Sequence, residues 1–197
     1  MAVANVPGAH TALLVMDVQT GIVARFAGDP TRLEPMRSAV DVARAANIPV
    51  MFVRVAFRPG FPEVSPANRS FAAIAQGGAW ATDPEMAAIH PAVDPRPDDI
   101  VVTKLRVSAF AGSDLEVLLR ARGVTHLVLA GIATSGVVLS TVREAADRDY
   151  YLTVLSDACL DMDPDVHRML IEKIFPRQAD VRTVAAWQAG LRAAPHA

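Results

Sequence analysis

Apolar residues in this chain fall into short unbroken runs separated by longer stretches where they recur every third or fourth position, a pattern that predicts strands and helices in turn. Thr11–Met16 (TALLVM) is one such run, covered on both faces, and it ends at Asp17, after which a helix is expected. From about Thr31 to Ala46 the residues Leu33, Met36, Val40, Val42 and Ala43 share one helical face, and Asn47 before Pro49 supplies a stop. Val50–Val55 reads as the second strand. Regularity returns with strand Ile100–Thr103, then a helix opened by Ser113 as N-cap, carrying Leu115, Leu118 and Leu119 and stopped by Gly123. Strand His126–Leu129, a helix from Ser135 to about Asp147, strand Tyr151–Leu155 and a helix over Pro164–Ile174 follow. A short strand near Val181–Val184 and a last helix containing Trp187 and Leu191 complete the order. Strands that are apolar on both faces and alternate with helices call for an α/β domain with three αβα layers around a mainly parallel sheet.

Residues 56–98 interrupt this alternation. Seven prolines, from Pro59 to Pro97, together with Gly60, Gly77 and Gly78 break regular structure repeatedly, which leaves a long loop excursion with room for one short helix. Phe57, Phe61, Phe71 and Trp80 make it either a packed, pocket-lining segment or a surface loop pinned by its aromatics.

At 197 residues, 52% of them hydrophobic, the chain suits a single domain spanning 1–197. A net charge of −2 with scattered Lys and Arg supplies no basic field, so nucleic acid is not an expected partner. No run reaches the roughly 20 apolar residues that span a bilayer, and Met1–His10 does not read as a signal peptide, so a cytoplasmic protein is expected. The lone Cys159 can form no internal disulfide and reads as a small buried residue on the loop after the fifth strand. His10, His90, His126, His167 and His196 show no metal-ligand spacing and read as structural, so neither a metal nor another cofactor is expected.

In an open parallel sheet, ligands bind beyond the carboxyl ends of the strands. Three polar features fall there: Asp17 after the first strand, Lys104 after the third, and the turn Gly131–Gly136 (GIATSG) after the fourth. A carboxylate raised in pKa by dry surroundings and lowered by a nearby ammonium suits proton transfer, although a structural salt bridge accounts for the same pair. The backbone N–H groups of Ile132, Ala133, Thr134, Ser135, Gly136 and Val137 would form a cradle for an oxyanion or a substrate carboxylate. Ser135 itself reads first as a helix N-cap, with ligand contact or nucleophile as alternatives.

The segments LLVMDVQ with Asp17 and Gln19, VVTKLRVSAFAGSDLEVLL with Lys104, Ser108 and Phe110, and HLVLAGIATSGVVLSTVREAADRDYYLTVLSDAC together resemble the isochorismatase-like hydrolase superfamily, which includes nicotinamidases and N-carbamoylsarcosine amidases. The resemblance implies six parallel strands in the order 3-2-1-4-5-6, a cis peptide at Ile132–Ala133 and a homodimer or higher homo-oligomer. In amidase members, the residues matching Asp17 and Lys104 assist a cysteine. The pattern G-x-A-T-x-x-C-V places Val137 where that cysteine stands, and valine cannot attack a carbonyl. The isochorismatases also lack the cysteine and cleave a vinyl ether by protonating it from the aspartate and adding water. The resemblance therefore implies a hydrolase of a small molecule with Asp17 as general acid or base beside Lys104. Two alternatives stay open: a non-catalytic binding or interaction protein, and a serine- or water-dependent amidase. Gln19, Arg25, Phe26, Phe57, Trp80 and Phe110 are the candidates for pocket lining, each with a plain packing role as the alternative.

Overall fold

A computed structural model of the chain describes residues 10–26, 29–77 and 81–193; Trp80 and His196 lie outside them. Six strands, β1 (Thr11–Met16), β2 (Val50–Val55), β3 (Ile100–Lys104), β4 (His126–Ile132), β5 (Tyr151–Leu160) and β6 (Asp180–Arg182), form one sheet in the order β3-β2-β1-β4-β5-β6. Every pairing in it is parallel. Among the described residues seven α-helices flank it: α1 (Thr20–Phe26), α2 (Glu34–Ala45), α3 (Arg69–Gln76), α4 (Leu115–Ala121), α5 (Leu139–Asp147), α6 (Pro164–Met169) and α7 (Val184–Ala193). The fold class and strand order are those expected.

All six residues of β1 are buried, and their alternation divides the core into two layers. Leu13 and Val15 pack with Met36, Val40 and Ala43 of α2 and with Trp187 of α7. Ala12, Leu14 and Met16 pack with Leu115 and Leu119 of α4 and with Val142 and Ala145 of α5. A central strand enclosed by helices on both faces is why the run reads as unbroken apolar residues.

Several boundaries differ from expectation, each because of a local hydrogen bond or a pairing across the sheet. A tight 3-10 turn at Pro30–Leu33, capped by the Asp29 side chain on the Thr31 N–H, delays α2 to Glu34. β5 runs five residues beyond Leu155, because after an irregularity between Leu129 and Gly131 the pairing resumes at Gly131 with Cys159. Cys159 is therefore on a strand and not on a loop. Ser135 is not a helix N-cap: the segment Thr134–Val138 forms a wide turn with non-helical backbone at Gly136, and α5 begins only at Leu139. Among its described residues the long excursion after β2 holds one α-helix, α3, whose N-cap Asn68 accepts from the Phe71 N–H, and a short 3-10 turn at Pro91–Val93.

Candidate active site at the carboxyl edge of the sheet

Asp17 is the first residue beyond β1, and its backbone turns into the left-handed region (φ 58°) while its N–H still donates to the Val53 carbonyl at 2.8 Å. Aspartate tolerates that conformation better than most residues, and there it carries its carboxylate over the strand ends. Lys104 closes β3, one strand removed, and reaches past the end of β2. Its Nζ lies 3.0 Å from Asp17 Oδ2 and donates to the Arg106 carbonyl at 3.0 Å. The pair is sequestered, Lys104 being 2% and Asp17 7% exposed.

Asp17 Oδ1 is buried and has no hydrogen-bond partner. A buried acceptor that stays unpaired costs about 1–3 kcal/mol, more when charged, so this oxygen, which no protein group engages, calls for a donor from water or a ligand. Burial pushes the Asp17 carboxyl above its ordinary value, and the charge and hydrogen bond of Lys104 offset part of that rise. The chemical result is a carboxyl able to give and retake a proton beside a fixed cation.

The strand-four turn stands at the same edge. Gly131 is required by close approach: a Cβ there would meet the Met16 carbonyl oxygen at 2.3 Å. The Ile132–Ala133 peptide is cis, the geometry the resemblance implies. The expected cradle is corrected in part, because two of its donors are already engaged. Ser135 N–H donates to Asp161 Oδ2 at 2.7 Å, and Gly136 N–H to the Ala133 carbonyl at 3.1 Å. The buried Thr134 hydroxyl is hydrogen-bonded to His167 Nδ1 at 2.8 Å. Ile132 and Val137 are core residues, each 2% exposed. His167 is held below its ordinary pKa by burial, which the nearby Asp161 partly opposes.

The candidate pocket residues divide. Gln19 is fully buried and its amide is consumed: Nε2 donates to the Val55 and Ala87 carbonyls at 2.9 and 3.1 Å, and Oε1 accepts from the Val55 N–H at 2.8 Å. It therefore ties the end of β1 to β2 and to the segment before β3, with no polar group left for a ligand. Phe110 is a packing residue at the other side of the domain, 5.9 Å from the Tyr150 ring and under the Arg148 guanidinium at 4.9 Å, near where β5 begins and not where it ends. Phe57 stays on the site side, in an aromatic group with Phe61 and Phe71 at 5.7 and 5.5 Å. Phe26 is half-buried against the α2 layer and Arg25 is exposed on α1.

Cys159 is buried, its thiol pushed up to about 12 chiefly by burial, which makes it an inert core group. Among the described residues no group of three or more His, Cys, Asp or Glu is placed to hold a metal ion, and no helix is long and apolar enough to cross a membrane. The sequence reading did not single out as site residues Arg106, Asp161 or His167, which engage Lys104 Nζ, the Ser135 N–H and the Thr134 hydroxyl. Arg106, two residues beyond Lys104 and supplying its carbonyl acceptor, is the one that position along the chain could have suggested.

The Isochorismatase domain profile matches residues 11–186. The chain is 34% identical over 179 residues to the isochorismatase-family protein YwoC of Bacillus subtilis, covering 91% of this chain and 93% of that one. It is likewise 34% identical over 206 residues to the ureidoacrylate amidohydrolase RutB of Methylobacterium radiotolerans, covering 93% and 80%. The structure of an isochorismatase family protein from Burkholderia thailandensis superimposes with a TM-score of 0.78 at 34% identity, over 94% of this chain and 98% of the other.

Proposed function

The chain belongs to the isochorismatase family, and from that premise we propose that it hydrolyses a small molecule by proton transfer through Asp17, without a protein nucleophile. The observation that carries this reading is the buried contact of Asp17 with Lys104, with Asp17 Oδ1 left open. In its protonated form Asp17 delivers a proton to the substrate; the carboxylate that results is held by the Lys104 ammonium at 3.0 Å. Water then adds to the electron-poor carbon, and the carboxyl regains a proton from solvent. A vinyl ether suits this sequence, because protonation at carbon gives an oxocarbenium ion that water traps with no covalent enzyme intermediate.

Valine at position 137 supports a route with no thioacyl step. Ser135 is a poor substitute nucleophile, since it is exposed and the nearby imidazole, His167, is hydrogen-bonded to Thr134 instead. A second reading, water-dependent hydrolysis of a small ureide or amide, is supported by the 34% identity to the ureidoacrylate amidohydrolase of M. radiotolerans. A purely binding role fits less well, because binding alone does not call for a buried carboxyl–ammonium pair at the strand ends.

The test is a hydrolysis screen of the purified protein against small vinyl ethers bearing carboxylates and against small ureides and amides, with Asp17→Asn in parallel. Turnover that falls by about a hundredfold or more in the variant supports the proposal. Equal turnover in both proteins refutes it.

A further inference from the structure

Strand register places the turn after β4 beside Asp17. Met16, the last residue of β1, pairs with Gly131, and on the other side Gly131 and Ile132 pair with Cys159 and Leu160 of β5. Three segments therefore leave the sheet side by side: the chain from Asp17, the turn from Ala133, and the stretch from Asp161 that leads into α6.

The third of these grips the second with two side chains. Asp161 Oδ2 accepts from the Ser135 N–H at 2.7 Å, and His167 Nδ1 is hydrogen-bonded to the Thr134 hydroxyl at 2.8 Å. Within the turn, the Ala133 carbonyl accepts from the Gly136 and Val138 N–H groups at 3.1 and 3.3 Å. Those internal bonds shape the turn; Asp161 and His167 anchor it to a different part of the chain. The helix that carries His167 has a fixed start, because Asp163 Oδ1 accepts from the Asp165 and Val166 N–H groups at 2.9 and 3.2 Å.

The two anchors differ in chemistry. Thr134 is fully buried, so its hydroxyl proton needs a protein acceptor, and Nδ1 of a neutral His167 provides one while the ring keeps its own proton on Nε2. An imidazolium donates from both nitrogens. Protonation would set Nδ1–H against the hydroxyl proton, and the hydroxyl would have to turn where no solvent can receive it. Burial, opposed by Asp161, holds His167 below its ordinary value, so the accepting form is the one present near neutral pH. Other charges near the ring are already engaged or solvated. The Thr134–Val138 segment carries no ionisable side chain. On α6, Asp163 serves as the cap and Asp165 is paired with Arg168 at 2.7 Å, while Glu172 and Lys173 of the following turn are exposed.

We infer that His167 is a positioning residue of the hydrolase: acting through the Thr134 hydroxyl, its imidazole fixes the turn against which the substrate binds beside Asp17. This rests on the reading above, that a small molecule is hydrolysed at this edge. His167 takes no part in the proton transfer. The turn it steadies contacts the substrate in the ground state and in the transition state alike, so loss of the anchor weakens binding and leaves the chemical step nearly unchanged. Mild acid has the same effect as removing the side chain, because it converts the acceptor at Nδ1 into a donor.

The experiment measures KM and kcat at about pH 7.5 and about pH 5, in the full chain, on whichever member of the hydrolysis panel the wild type turns over. Wild type is compared with His167→Ala, His167→Asn, Thr134→Val, the Thr134→Val/His167→Ala double variant and Asp17→Asn. At the higher pH His167→Ala should raise KM about tenfold with kcat within about threefold. His167→Asn should recover most of that loss at both pH values, since its amide oxygen can stand in for Nδ1 and does not titrate. The advantage of wild type over His167→Ala should shrink to under about threefold at the lower pH. Comparing the two proteins at each pH cancels the titration of Asp17 and of the substrate. Thr134→Val should match His167→Ala, and the double variant should be no worse than either. Circular dichroism and the thermal midpoint show that each variant is folded; a brace that only stabilises the fold would move the midpoint and leave KM alone. Four results overturn the inference while Asp17→Asn, if inactive, keeps the Asp17 reading: KM of His167→Ala within twofold of wild type, an excess equal at both pH values, no recovery in His167→Asn, or additive effects in the double variant. If Asp17→Asn keeps wild-type turnover, the Asp17 reading falls and the KM values decide His167 by themselves. A wild type inactive on the whole panel overturns both.

Discussion

Lys104 and Asp17 are in contact although their strands are not neighbours: β2 lies between them, and the lysine stem crosses its end to bring Nζ within 3.0 Å of Oδ2. The contact exists because β3 and β1 both end at the same edge and the lysine stem spans the intervening strand. It also makes each charge dependent on the other, since both are nearly removed from water.

Lys104→Met tests that dependence. The substitution keeps an apolar stem and removes the influence that lowers the Asp17 pKa, leaving burial to raise it further. A carboxyl whose folded-state pKa stands above its unfolded value of 3.8 contributes stability that is complete below that value and lost as pH rises through the folded one. The variant should therefore lose about 3–5 kcal/mol at pH 8, where a lone buried carboxylate must be ionised, and distinctly less at pH 5. Urea denaturation at the two pH values reads this directly. An equal deficit at both would mean that Asp17 does not titrate between them.

Val137→Cys probes whether the edge is still arranged to activate a nucleophile. The swap is close in volume and should cost under about 1.5 kcal/mol. If the Lys104 cation acts at this position, the introduced thiol should react with iodoacetamide at least tenfold faster than Cys159, whose pKa of about 12 keeps it protonated. Peptide mass spectrometry separates the two sites. Equal, slow labelling of both would show that position 137 is only a core position.

Gln19→Leu removes an amide that satisfies both the N–H and the C=O of Val55 together with the Ala87 carbonyl. With those groups left buried and unpaired, a loss of about 3 kcal/mol is expected. Hydrogen exchange should show lost protection at the Val55 amide. Unchanged protection there would indicate that water replaces the amide freely.

Gly131→Ala should cost about 3 kcal/mol, because its Cβ would lie 2.3 Å from the backbone oxygen of Met16 and β1 cannot move without repacking two core layers. Gly60→Ala is the control: φ there is +80° but nothing lies within 4 Å, so only backbone strain of about 1 kcal/mol is at stake. Comparable losses at the two sites would rule out the steric account.

Much of this protein was readable from sequence alone, because the features concerned are local. The apolar run TALLVM had to be a strand enclosed on both faces, and a parallel sheet had to put Asp17, Lys104 and the turn after β4 at one edge. The strand order came from resemblance to a family, since periodicity does not say which strands are neighbours. What the tertiary structure alone decided was how polar groups are spent. Gln19 is used up on Val55, the Ser135 N–H is taken by Asp161 from 26 residues away, and Phe110 is turned towards Tyr150. Hydrophobic spacing records which face of an element is buried; hydrogen bonds between distant segments leave no periodic trace, so their partners emerge only when the loops are folded over the sheet.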